Sequence, residues 1–339
     1  MVSVGTTAQD LQQFLAEHHL AGAGLKPAGG GPKLREGNTS AHWTWEGIHD
    51  GLQQSGRIVS VGPGGMTGMR SVTGIEARRF PIWMNAQILM PGERTQAHRN
   101  IRSETRLVCQ APPEAFFVCE YQQFPMRRGD VVISPSWTFH DHWNRGSTPA
   151  LWVDGYDNGY NQGFNINERL PDNSPYQEIK TANEIKLMTA SDGRAAGEPP
   201  YPLPPVRYPW EETEAALEAR RAANDLDPCD GIRVMLASPV DGGPTLPTIA
   251  WHAQLLLPGQ KTLGHRHNST TFYFAFEGRG ALIIEGERLA WNRGDIFAVP
   301  AWKWHHHENA AAGESILFSI DDWPAMTKLG FYRQEVSPQ

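Results

Sequence analysis

Apolar positions in "AQDLQQFLAEHHLAG" (8–22) recur at helical spacing, with Leu11, Phe14 and Leu15 on one side, so the segment predicts a helix. His18 and His19 close it as solvated residues favourable to the C-terminal end of the helix dipole. The Gly- and Pro-rich stretch 22–37 predicts a loop. Between residues 70 and 157 the pattern becomes short apolar runs cut by turns, which predicts strands. From 158 to 206 the chain turns polar and then proline-rich ("GEPPYPLPPVRYPW"), as a linker does. "WEETEAALEARRAAN" predicts a helix, with acidic residues first, basic residues last and a solvated charged face. The short-strand pattern resumes at 232 and runs to about 320.

The two strand-rich regions repeat each other. "AQILMPGERTQAHRN" (86–100) aligns with "AQLLLPGQKTLGHRH" (253–267), and "RRGDVVISPSWTFHDHWN" (127–144) aligns with "NRGDIFAVPAWKWHHHEN" (292–309). Both blocks keep their order and almost the same offset, so the chain carries an internal duplication of one β domain. Composition agrees: 34 glycines and 26 prolines in 339 residues supply turns for many short strands rather than long helices. The net charge of −7 argues against general nucleic-acid binding. No run approaches the ~20 apolar residues of a membrane span. The opening "MVSVGTTAQD" lacks the basic start and apolar stretch of a signal peptide. Cys109, Cys119 and Cys229 have neither metal nor disulfide spacing, and read as scattered thiols in a reducing cytoplasm.

The second copy holds the clearest chemistry. In "GHRHN", His265 and His267 are two apart, so on a strand they share a face. His305 follows the turn "NRGD" and the apolar run "IFAVPAW", which a returning strand can bring opposite the pair. Three imidazoles on rigid strands suit Fe(II), Mn(II), Ni(II), Cu(II) or Zn(II). The alternative is three hydrogen-bonded histidines without a metal; the third histidine and the duplication favour the metal.

These residues resemble the two cupin motifs. Gly259 with His265, Arg266 and His267 matches the first; Gly294, Pro300, His305 and Asn309 match the second. The usual glutamate near Thr271 or Phe272 is missing, and Trp302 stands where the second motif usually has glycine. Both departures resemble the gentisate 1,2-dioxygenase group of bicupins, which also includes salicylate dioxygenases and uses three histidines. The likeness extends through "SPSWTFHDHWN", "LWVDGYD", "LFSIDDWP" and "LGFYRQE". It implies a mainly β bicupin, two jelly-roll (double-stranded β-helix) barrels with a few peripheral helices. The expected organisation is an N-terminal helical arm and loop (1–69), a first cupin (70–157), a linker with a helix (158–231) and a second cupin (232–339). It further implies cleavage of a 2-hydroxybenzoate by O2 on Fe(II), with one iron per subunit, or two if both copies load. Gentisate or a 5-substituted salicylate such as nitro- or aminosalicylate would be the substrate. A cytoplasmic homotetramer or dimer, without nucleic-acid or membrane partners, would be the form.

The first copy departs from the group. In most members it carries the catalytic iron, yet here the second histidine is Asn100. His98 and His140 remain, and Glu104 stands where the general cupin motif places its glutamate, so His98, Glu104 and His140 form a second candidate triad. The group's substrate-contacting positions also fall in this copy, at Trp83, Gln87, Arg106, His142 and Asp154. The second copy has Gln254 and His307 at the Gln87 and His142 positions, and Tyr273 where the first has Arg106. The first copy thus keeps the family pocket and the second keeps the ligands. Three intact ligands are the harder requirement, so the second copy is expected to be catalytic, with no arginine equivalent to Arg106. His307 shares a strand face with His305 and would point inward, while His306 would face away. A first copy with a repaired iron site remains open, as do an isomerase or decarboxylase bicupin and a non-enzymatic ligand-binding bicupin.

Overall fold

The computed structural model describes residues 7–22, 41–61, 70–74, 77, 79–166, 168–182 and 205–338. Its strands form four sheets. In the first half a seven-stranded sheet runs in the order Leu20–Gly22, Arg70–Gly74, Trp83–Leu89, Ala150–Tyr156, Glu104–Gln110, Val131–Ser134 and Val206–Tyr208. A six-stranded sheet containing His98–Asn100 and His140–Asn144 faces it. The second half repeats this with a six-stranded sheet, centred on Ala250–Leu256, Ser315–Asp321 and Thr271–Glu277, and a five-stranded sheet holding His265–His267 and His305–Glu308. The fold is the mainly β bicupin expected from the motifs.

The strands Trp83–Leu89 and Ala250–Leu256 are buried at every position. Alternation explains this: each strand has one face in its own barrel and the other in a core shared by the two large sheets. Met84, Ala86, Ile88, Trp251, Phe272 and Phe318 belong to the shared core. Phe117 and Trp152 fill the first barrel, and Leu282 and Phe297 the second. Trp251 Nε1 crosses the boundary and donates to Thr105 Oγ1 at 2.7 Å.

Each barrel borrows a strand from outside its own repeat. Ala41–Trp43 pairs with Ile296–Ala298 of the second barrel, while the helix that follows it, Trp45–Ile58, packs on Arg70–Gly74 and Trp83–Leu89 of the first. The mirror arrangement has Val206–Tyr208 paired with Val131–Ile133, and the helix Trp210–Ala222 lying on Ile232–Met235 and Ala250–Leu256. The aspartate of each "RGD" turn fastens the crossing. Asp295 accepts from the Trp45 amide at 2.8 Å and the Asn292 amide at 3.0 Å, and lies 2.9 Å from His42 Nε2. Asp130 accepts from the Trp210 and Arg127 amides, both at 3.0 Å, and from Arg207 Nε at 2.8 Å. Gly129 and Gly294 have φ of +87° and +92°, and a Cβ on either would strike the indole of Trp210 or Trp45.

Three segments differ from the sequence expectation. The first helix ends at Glu17 with His18 as its C-cap, where the sequence closed it, but Leu20–Gly22 forms a strand paired with Val72–Gly74. His18 is half-buried rather than solvated: its Nδ1 lies 2.9 Å from the Phe14 carbonyl and its ring stacks on Phe14 at 4.3 Å. The stretch after 157 contributes structure: Arg169–Pro171 pairs with His98–Asn100, and Thr181–Ala182 runs parallel to Gln122–Gln123. Most of the loop at 22–37, and the proline-rich run up to 204, lie outside the described residues.

Candidate metal centre

In the second barrel His265 stands directly opposite His305 across an antiparallel pair. Burial alternates along both strands, so His265, His267, His305 and His307 all point inward. The rings of His265 and His267 lie 4.1 and 5.2 Å from that of His305. One ligand atom from each of the three histidines lies within 4.8 Å of the others. Local carbonyls set the tautomers. His305 Nδ1 donates to the Lys303 carbonyl at 2.9 Å, and His267 Nδ1 lies 3.0 Å from the Ser269 carbonyl. His305 Nε2 is therefore a bare lone pair, buried and without a partner among the described residues. An unpaired buried acceptor is unfavourable unless something occupies it. Burial, and then the neighbouring imidazoles, push His305 well below the ordinary histidine range, and His267 below it. Both are neutral at physiological pH, the form a metal requires. The donor set fits a metal ion.

His307, Gln254 and Tyr273, the other residues expected of this copy, are all buried. His307 is fully buried with both ring nitrogens unpaired among the described residues, and burial lowers its pKa to about 3. The Tyr273 ring stands edge-on to it at 5.0 Å. Gln254 Nε2 is buried and unpaired. His306 turns away, with Nε2 3.3 Å from Glu308. One residue escaped sequence reasoning. The second barrel does have an arginine, Arg233, supplied by the neighbouring strand opposite Gln254. It bonds Asp230 at 2.8 Å, Asp321 at 3.1 Å and His252 Nδ1 at 2.9 Å. Burial would raise Asp230, but Arg233 and then the histidine cluster hold its carboxyl below the usual range, so the network borders the imidazoles. "GIRVM" resembles "GMRSV" (68–72), yet by register Arg233, opposite Gln254, corresponds to Ser71, opposite Gln87, and only the fold shows this.

In the first barrel the second candidate triad also converges: His98, Glu104 and His140 offer ligand atoms within 4.8 Å of one another. His98 Nδ1 donates to the Gln96 carbonyl at 2.9 Å and His140 Nδ1 to the Thr138 carbonyl at 3.1 Å, as in the other barrel, but Glu104 brings bonds that the other barrel lacks among the described residues. Glu104 Oε1 accepts from Asn100 Nδ2 at 2.8 Å and pairs with Arg102 at 2.7 Å. Glu104 Oε2 accepts from Arg106 Nη2 and lies 3.0 Å from His140 Nε2. Burial alone would raise the Glu104 carboxyl, but Arg102, His140 and Arg106 hold it well below the usual range. Arg106 also bonds Ser134 and lies 3.6 Å from Asp154, whose pKa burial raises to about 7. His142 stacks on Trp152 at 4.9 Å with both nitrogens unpaired. Gln87 donates to the Tyr156 hydroxyl at 2.7 Å. Trp83 is buried in the core shared between barrels.

A cupin-domain family model matches residues 253–321, the span that contains all four inward histidines of the second barrel. The chain is 30% identical to 1-hydroxy-2-naphthoate 1,2-dioxygenase of Nocardioides sp. (strain KP7), covering 95% of this chain and 84% of that one. It is 33% identical to 5-aminosalicylate 1,2-dioxygenase of Comamonas sp, covering 74% and 67%. Among solved structures, salicylate 1,2-dioxygenase from Pseudoaminobacter salicylatoxidans with gentisate superposes with a TM-score of 0.76 at 25% identity, covering 89% and 86%. With two matching barrels and relatives at this identity over most of its length, the chain belongs to the gentisate and salicylate 1,2-dioxygenase family of ring-cleaving bicupin dioxygenases.

Proposed function

We propose that the second barrel holds ferrous iron on His265, His267 and His305, and that the chain uses O2 to open a 2-hydroxybenzoate between its carboxyl- and hydroxyl-bearing carbons. The observation that carries this reading is the trio of buried, converging imidazoles with a bare His305 Nε2. Iron, when bound, supplies the one-electron chemistry that lets dioxygen react with a closed-shell ring, which zinc does not. Three protein ligands leave positions open for substrate oxygens.

The remaining work falls to the side chains. Arg233 presents a guanidinium for the substrate carboxylate beside the imidazole cluster. Gln254 Nε2, unpaired, donates to a substrate oxygen. Neutral His307 offers one N–H and one lone pair, so it can donate to an oxygen and accept from another group. Burial pushes the Tyr273 phenol well above its ordinary range, so it stays protonated and donates to a ring substituent. Phe297 and Leu317 keep the barrel interior dry. Gentisate and 5-substituted salicylates such as 5-amino- and 5-nitrosalicylate share the required carboxylate-beside-hydroxyl pair, as does 1-hydroxy-2-naphthoate.

The test is oxygen uptake by the iron-loaded protein across these acids, with mass spectrometry of the product. A ring-opened product carrying both oxygen atoms is expected from at least one. His305→Ala should lose its iron and lower kcat/KM by more than roughly 100-fold, since even residues behind the ligands matter at that scale. Anaerobic turnover supported by manganese or zinc would instead indicate an isomerase or decarboxylase.

A further inference from the structure

We propose that the first barrel is metal-free, and that two guanidinium groups on Glu104 replace the positive charge an ion would bring. The duplication supplies the comparison. Arg102, Glu104 and Arg106 align with Ser269, Thr271 and Tyr273, and Asn100 aligns with His267. Neutral positions of the second barrel are thus charged in the first. Alternate residues of a strand share a face, so Glu104 and Arg106 both enter the barrel.

The triad of His98, Glu104 and His140 meets the distance requirement for a metal but not the donor requirement. A carboxylate offers about four lone-pair directions. Asn100, Arg102 and Arg106 converge on the two oxygens of Glu104 and engage three of the four. His140 Nε2 lies 3.0 Å from Glu104 Oε2, while its Nδ1 donates to the Thr138 carbonyl at 3.1 Å; its counterpart His305 Nε2 has no partner among the described residues. Asn100 turns its NH2 group, not its carbonyl, toward the cluster. A divalent ion among these groups would meet two guanidiniums already bonded to its only anionic ligand, and like charges repel strongly where burial weakens screening. Moving Arg106 aside would strip a fully buried guanidinium of its hydrogen-bonded carboxylate, which is more unfavourable still. Glu104 is 3% exposed and Arg106 1%, so water offers no relief.

The experiment counts metal, so it is independent of substrate. Full-length protein reconstituted anaerobically with Fe(II), then stripped of loose ions, should hold one iron per chain by mass spectrometry; two would overturn the inference. His98→Gln should keep that iron and His305→Ala should lose it; the opposite pattern would overturn it too. A transplant of the second barrel's residues, Asn100→His with Arg102→Ser, Glu104→Thr and Arg106→Tyr, should raise the count to two. If the transplant melts as the wild type does yet stays at one, the arginine–glutamate cluster is not what excludes the ion. If it fails to fold, the His98→Gln count decides. A chain that loads one iron but opens no ring would sink the proposed reaction and leave this inference standing.

Discussion

At the residue scale, the tryptophans that replace the motif glycine show how side-chain contacts can override a backbone preference. Trp137 and Trp302 have φ of +66° and +67°, a region that favours glycine. Each turn is held by its amide, Trp137 to the Asn100 carbonyl at 2.7 Å and Trp302 to the His267 carbonyl at 2.6 Å. An arginine then covers each ring: Arg99 lies 4.3 Å from Trp137 and Arg266 lies 4.6 Å from Trp302. Both amides therefore lock the strand that carries, or once carried, the second histidine. Because Trp302→Gly and Trp302→Ala lose the same ring, their difference isolates the backbone. The glycine variant should be the more stable by about 1 kcal/mol in urea unfolding. Arg233→Gln tests the residue that sequence reasoning missed. It should raise KM by roughly tenfold or more through lost charge-assisted contacts, with iron content unchanged. An unchanged KM would remove Arg233 from substrate recognition.

At the element scale, the borrowed strand and its helix depend on one aspartate per crossing. Asp295 bonds two backbone amides from segments far apart in sequence and contacts His42. Asp295→Ala would leave those amides without their acceptor, and should cost about 2–4 kcal/mol in thermal unfolding. Asp295→Asn keeps one acceptor oxygen and should lie between. The repeat of "RGD" was legible in the sequence, but its purpose was not. Its partners, Trp45 and Trp210, sit in segments that read as an arm and a linker, and no local pattern links them to turns so distant. The strands themselves were legible, because turn residues punctuate short apolar runs. The end of the first helix was legible at His18, its C-cap, but the strand Leu20–Gly22 was not, because only tertiary pairing with Val72–Gly74 makes it one.

At the scale of the whole molecule, two barrels share a core, and carboxyls are buried both inside the first barrel and between the two. Asp154 rises to about 7, and Asp157 and Asp322 to about 6, each chiefly through burial. A carboxyl with a raised folded pKa binds more protons folded than unfolded between the two values. Its contribution is therefore fully present below about pH 4 and is lost as pH rises toward 7. Asp154→Asn should flatten the decline in melting temperature between pH 5 and pH 8; a variant with the wild-type slope would exclude Asp154 as a source. Of the whole, the sequence by itself determined the duplication, the strand-rich class, the three inward histidines and the inward His307, because alternation on a strand is a local rule that survives any packing. Only the tertiary structure decided how Glu104 is used, which strand supplies an arginine to the second barrel, and which barrel each arm joins. These depend on where backbones from separate segments bring charges together. A carboxylate two residues from an arginine reads the same in sequence whether it awaits a metal or is already held by two guanidinium groups.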